Sequence, residues 1–245
     1  MLWLDVYERR ARLVPGLLAL LPLVTVGIVL GLRQGPAVTF FSSVLSLAGG
    51  PLILAELVRH QGRKTQESLW KSWGGAPTTK KLRTRESSGN SVQQNEWREA
   101  VSSITGIELL SARAERRNPT KADETIEVSI GKLRNLTRNG ERFPLVEAEN
   151  RGYGFHRNFY GIRWFGRGAS MLVLLGVGGY ISWVAIVSDQ SWVTVVNISA
   201  LILASVSLIF WFLAPSAKRV WSAADRYAYE LLQAAVFLNS ETSEW

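Results

Sequence analysis

The stretch GASMLVLLGVGGYISWVAIVSDQSWVTVVNISALILASVSLIFWFLA, residues 168–214, decides how this chain must be read. It holds two apolar runs, Ala169–Val187 and Trp192–Leu213, joined by Ser188-Asp189-Gln190-Ser191. A helix needs about 20 apolar residues to cross the hydrocarbon core of a bilayer. Each run meets that length, and so short a link forces the pair into an antiparallel hairpin. The N-terminal region repeats the pattern. Leu13–Leu32 and Ala37–Val58 are two further apolar runs, linked by Arg33-Gln34-Gly35-Pro36. Pro15 falls in the first turn of its run, where a missing N–H is harmless, and Pro22 deeper in the same run predicts a kink. Gly49-Gly50-Pro51 interrupts the run that follows.

This patterning predicts an all-α membrane protein. Four transmembrane helices form two hairpins, with a small helical cytosolic domain inserted between them. The expected parts are residues 1–58 (N-terminal segment and first hairpin), 59–167 (basic cytosolic helical domain), 168–214 (second hairpin) and 215–245 (cytosolic C-terminal helix). Lysine and arginine near span ends mark the cytoplasmic side. Arg9, Arg10 and Arg12 precede the first span, and Arg59, Arg63 and Lys64 follow the second. Arg157, Arg163 and Arg167 precede the third span, and Lys218 and Arg219 follow the fourth, whereas the two links share only Arg33. Both termini and the middle segment are therefore expected in the cytoplasm. Of the ten tryptophans, Trp164, Trp192, Trp211 and Trp221 lie where apolar and polar sequence meet, as interfacial anchors do.

Residues 59–167 carry 21 Lys and Arg against 12 Asp and Glu, a net charge of +9, while the rest of the chain nets −1. Such a segment either lies against anionic lipid or receives an acidic ligand such as a nucleotide or nucleic acid. Its helices are expected at Glu67–Trp73, at Lys80–Glu86 after a Pro77-Thr78-Thr79 cap, and from Ser91 to Gly106. Val92, Trp97, Val101 and Ile104 line the last of these. Another starts at Asn118-Pro119-Thr120, with Ile126, Ile130, Leu133 and Leu136 as its apolar stripe. A final one starts at Pro144. Val220, Ala224, Tyr227, Leu231, Ala235 and Leu238 give the C-terminal segment a similar stripe.

Candidate binding residues cluster in two places. In Glu149–Asn158, Arg151 and Arg157 could grip a phosphate and Tyr153 or Phe155 could stack on a base. Read structurally, the same run is a juxtamembrane elbow turning at its glycines. Lys80, Lys81 and Arg83 follow Trp73-Gly74-Gly75-Ala76-Pro77-Thr78-Thr79, a possible phosphate nest that lacks the ending of a P-loop. Glu56 is the one acid inside an apolar run, either an ion site or a salt bridge to Arg59. Asn197 suits an interhelical hydrogen bond, and Gly168, Gly176, Gly178 and Gly179 permit close helix approach. With no cysteine and two histidines, no metal site is expected. No cofactor or catalytic motif is present, so no enzymatic activity is expected.

The phrases WGGAPTTKKLRTRES, RFPLVEAEN, YGFHRN and DRYAYELLQAA resemble an uncharacterised family of bacterial multi-pass membrane proteins. That resemblance implies the bacterial inner membrane and the two-hairpin layout. It implies no site residue. The layout is also similar, in architecture only, to membrane effectors of anti-phage systems. The expectation is a non-enzymatic, homo-oligomeric effector that opens or perturbs the bilayer when its cytosolic domain binds a protein partner or acidic ligand. The alternative is a membrane-anchored scaffold that holds a cytosolic protein or nucleic acid.

Overall fold

The computed structural model describes residues 9–29, 50–86, 90–187 and 195–243, and among them every regular element is helical. After a π-helical turn at Arg9–Leu13 come α1 (Val14–Val29), α2 (Gly50–Trp73), α3 (Pro77–Leu82), α4 (Ser91–Thr105) and α5 (Ala112–Arg117). They are followed by α6 (Pro119–Leu136), α7 (Pro144–Gly161), α8 (Arg163–Val187), α9 (Val195–Leu213) and α10 (Ala217–Ser243). The chain divides into two compact units. An apolar unit comprises residues 1–66 and 154–217, and a polar unit comprises 67–153 and 218–245.

In the apolar unit α8 and α9 pack along each other, and α1 packs on both. Small residues set the α8–α9 seam: Val173 and Val177 meet Ala200 and Ala204, and the Ser170 and Ser207 hydroxyls bond at 3.0 Å. A second cluster gathers Ala19, Val58, Phe159, Ile162 and the fully buried Trp211. The Trp211 indole lies against Gly166, so close that an added Cβ would stand 2.2 Å from it. Asn158, also fully buried, donates its amide N–H to the Ala11 carbonyl at 2.6 Å.

Two helices, α8 of 25 residues and α9 of 19, are long and apolar enough to cross a membrane. At 1.5 Å per residue they reach about 37 and 28 Å, against a hydrocarbon core of about 30 Å. The core helix of a soluble protein would be mostly buried, yet only 17% of α8 and 22% of α9 is buried over their most apolar stretches. Leu172, Leu175, Trp183, Ile186, Ile202 and Leu213 stand exposed. The first hairpin is described only in part. Helix α1 continues through Pro22. The end of its expected span, the Arg33–Pro36 link, the second span up to Gly49 and the Ser188–Ser191 link lie outside the described residues, as does most of the Ser87–Ser91 loop.

Several local expectations are corrected. No separate helix begins at Glu67, because α2 runs unbroken from Gly50 to Trp73. Its middle is polar but contains no residue that stops a helix. Pro77 is the first residue of α3 rather than part of its cap, and α3 ends at Leu82, not Glu86. No elbow forms at 149–158, since α7 passes straight through Gly152 and Gly154.

The polar unit has its own core. Leu82, Trp97, Val101, Ile126, Ile130 and Leu133 pack with Leu231, Leu232 and Ala235 of α10. Asn90 caps α4 by accepting from the Gln93 amide, and Gly106 closes it at φ 65. Asn118 caps α6 in the same way, with Pro119 at its first position. Val92 and Leu136, expected in the stripes, are exposed. At 100° per residue Leu136 stands about 80° off the Ile126 face, and Val92 about 140° off the Trp97 face.

Candidate ligand cleft in the polar unit

After α2 the chain turns through Gly74 and Gly75, both at positive φ (77° and 137°). Gly75 is doubly constrained, because a Cβ there would also meet the Arg83 guanidinium at 2.7 Å. This turn delivers the short helix α3, and with it Lys80, Lys81 and Arg83.

Arg83 points inward and is a structural clasp. It forks onto Asp123, Nε to Oδ1 at 2.9 Å and Nη2 to Oδ2 at 3.0 Å. Its Nη1 donates to the Gly74 carbonyl at 2.7 Å and also pairs with Glu86. Arg85 doubles the grip on Asp123 at 2.7 and 2.8 Å. Beside it, Glu115 is fully buried. Its carboxylate accepts from the Thr84 amide at 3.1 Å and hydroxyl at 2.6 Å, and from the Arg85 amide at 3.3 Å. Arg98 lies 3.8 Å away. Burial alone would raise the Glu115 carboxyl, but the Thr84 and Arg85 hydrogen bonds and the Arg98 charge hold it below the usual carboxylate range. Asp123 behaves likewise, burial opposing and Arg85 and Arg83 prevailing. Burial pushes Arg98 down, against Glu115.

Lys80 and Lys81 instead line a cleft of about 160 Å³, with Trp97, Trp221, Glu86 and Asp225 around them. Lys80 Nζ donates to the Trp73 carbonyl at 2.8 Å, lies 3.5 Å from Glu86 and sits 5.5 Å over the Trp221 ring. Lys81 Nζ pairs with Asp225 at 2.7 Å and lies 5.9 Å from the Trp97 ring centre. Of the three residues singled out here, two meet in a cleft and the third holds the loop that forms its wall.

The other candidate run does not converge. On one continuous helix, Arg151 and Arg157 are six residues and so about 240° apart. Arg151 pairs with Glu147 at 3.0 Å. Tyr153 is buried and stacks on Tyr227 at 6.2 Å. Arg157 donates to Gln66 at 2.7 Å and to Asn158, and Phe155 stacks on Phe159. Arg151 and Tyr153 belong to the polar unit, Phe155 and Arg157 to the apolar one.

Glu56 is exposed and pairs with Arg59 at 3.2 Å. Asn197 is buried in α9. A Cβ on Gly168, Gly176, Gly178 or Gly179 would touch nothing within 4 Å; close approach in this unit occurs at Gly166, Gly161 and Gly62. Sequence reading missed Glu115, Asp123 and Arg98. The alternating Arg83-Thr84-Arg85-Glu86 was the available signal that this loop would be held by charge. Among the described residues no group of acids and histidines is arranged to hold a metal.

The chain matches no family model, no curated protein and no solved structure. The resemblance drawn from its sequence phrases rests on those phrases alone.

Proposed function

We propose that this protein is a non-enzymatic, oligomeric membrane effector whose polar unit receives a ligand or partner and whose apolar helices respond by opening or distorting the bilayer. Four spans, Leu13–Leu32, Ala37–Val58, Ala169–Val187 and Trp192–Leu213, cross a bacterial inner membrane, with both termini and the polar unit in the cytoplasm. The observation that carries the reading is the exposed apolar surface of α8 and α9. They already pack on each other and on α1, so lipid or further copies must cover what remains. The open Gly176, Gly178 and Gly179 positions leave room for a second chain to approach closely.

Dye release from liposomes carrying the purified chain tests this reading. Release that rises with a cytosolic extract or a defined ligand supports it, and tight liposomes under every condition sink it. One observation favours a scaffold instead. Lys81, Arg83, Arg85 and Arg151 are paired with acids of the same unit, which makes that unit a preformed platform rather than an open cationic surface. Recovery of a stoichiometric cytosolic partner from native membranes, with no induced leak, would select the scaffold.

A further inference from the structure

Several arginines of the polar unit face acids: Arg83 and Arg85 hold Asp123, Arg98 faces Glu115 and Arg151 pairs with Glu147. At the start of α8 two arginines do not. Arg163 and Arg167 stand one turn apart on the same side of the helix, both half-buried. Arg163 Nη1 donates to the Tyr160 carbonyl at 2.7 Å, and Arg167 Nε to the Trp211 carbonyl at 3.1 Å. Both acceptors are neutral, and among the described residues neither guanidinium has a carboxylate partner. A guanidinium carries five N–H groups, so most donors of the pair are left over. Aromatic rings fix where the two heads sit. That of Arg163 lies 3.8 Å over Tyr160 and 5.7 Å from the Trp164 ring, and that of Arg167 lies 4.7 Å from the same Trp164 ring and 4.4 Å from Phe212. Like charges at this spacing on a helix destabilise one another, and an anion from outside the chain would offset that. The pair also has a defined depth. Arg167 precedes the apolar run Ala169–Val187 by two residues, about 3 Å of rise, which is headgroup level for a spanning helix. Beside it Trp164, Gly168, Met171 and Leu175 fall within about 60° of one another on α8. Trp164, Met171 and Leu175 are exposed, and a Cβ on Gly168 would touch nothing within 4 Å.

We propose that Arg163 and Arg167 form a headgroup site for an anionic phospholipid, whose phosphate accepts from their leftover N–H groups and whose acyl chain lies along Gly168, Met171 and Leu175. Guanidinium forks match phosphate oxygens. Two cations without a carboxylate favour a headgroup of net negative charge over a zwitterionic one, which would bring its own ammonium beside them. A bare phosphate ion would leave the exposed apolar track uncovered, so the lipid is the source. The inference rests on the membrane location proposed above for the apolar unit, and on neither the effector nor the scaffold role.

The test is electron spin resonance of phosphatidylcholine vesicles carrying the full chain, with a trace of spin-labelled phosphatidylglycerol in one arm and of spin-labelled phosphatidylcholine in the other. Lipid held against the protein is read as a motionally restricted fraction. That fraction should favour phosphatidylglycerol about three- to tenfold. Arg163→Gln with Arg167→Gln should bring the preference close to one, with the helical circular dichroism unchanged. Arg163→Lys with Arg167→Lys keeps the charge and loses the fork, so its preference should fall between the two. Should the glutamine variant lose helix, the lysine variant decides, and an undiminished preference there overturns the site. Arg63→Gln with Lys64→Gln removes two exposed charges of the same unit and should leave the preference in place, which separates a site from general basicity. Equal restriction of the two lipids, a preference that survives loss of the arginine pair, one lost with Arg63 and Lys64 instead, or one abolished by inorganic phosphate at fixed ionic strength would overturn the site. Each of these leaves the membrane location standing, because a restricted fraction requires a chain in contact with lipid. A chain that does not float with the vesicles removes both.

Discussion

The two units are built from the same element and turned opposite ways. The apolar unit puts small and polar residues inside, with Ser170 on Ser207, Asn158 on the Ala11 carbonyl and Gly166 under Trp211, and leaves Leu172, Ile186 and Ile202 outside. The polar unit buries Leu82, Val101, Leu133 and Leu231, and beside them the paired Arg83. Glu115, the one fully buried acid among its described residues, is surrounded by donors. The membrane location proposed above for the apolar unit would account for the inversion. In lipid there is no hydrophobic force between helices, so close packing and hydrogen bonds must join them. In water apolar burial joins them, and a buried charge survives only when paired.

Five measurements would break or sharpen that contrast. The largest effect is expected from Glu115→Ala, which takes the acceptor from the Thr84 and Arg85 amides and the Thr84 hydroxyl and removes the acid facing Arg98. It should destabilise the polar unit by about 3–5 kcal/mol, read as faster hydrogen exchange of α6 in the full chain with α8 and α9 unaltered. The same cluster should fail in acid. Glu115 and Asp123 are held below their ordinary values of 4.5 and 3.8, so their contribution is complete above about pH 4.5 and is lost as pH falls below 3.8 through the lowered folded values. A polar unit equally protected at pH 7 and pH 3 would contradict the clasp.

Next comes Leu133→Ala, a fully buried truncation that should cost about 3 kcal/mol. Gly166→Ala follows. Its Cβ has no room beside Trp211, and the forced shift should cost about 1–3 kcal/mol, seen as a lowered melting temperature in detergent. Smallest is Leu172→Ala. That side chain is 69% exposed, so the change should stay within about 0.5 kcal/mol. If Leu172→Ala proves as costly as Leu133→Ala in the detergent-solubilised chain, the α8 surface is covered by protein, not lipid.

Legibility followed the same divide. Caps and stops are local chemistry, so Ser91, Gly106, Asn118-Pro119 and Pro144 marked helix ends that the structure keeps. Apolar runs are also local, and α8 and α9 were visible from composition alone. Glycines were read too literally. Gly152 and Gly154 sit in regular helix because nothing there requires positive φ, whereas Gly74 and Gly75 do require it. The apolar run of α2 stops at Val58, yet the helix continues to Trp73. The clasp was least legible. Arg83 meets Asp123 forty residues away, and only tertiary folding could show that Lys80 and Lys81 face a cleft while Arg83, two residues on, does not.

One consequence is practical. The divisions between the units fall at Gln66–Glu67, Tyr153–Gly154 and Ala217–Lys218, the first two inside α2 and α7 and the third in the opening turn of α10. Cutting at the first two would sever helices in mid-course and strip several backbone N–H and C=O groups of their partners at each new end. The polar unit therefore offers no clean place for scissors. A fragment of the polar unit would have to carry α2 and α7 beyond those boundaries, or be closed by newly designed caps.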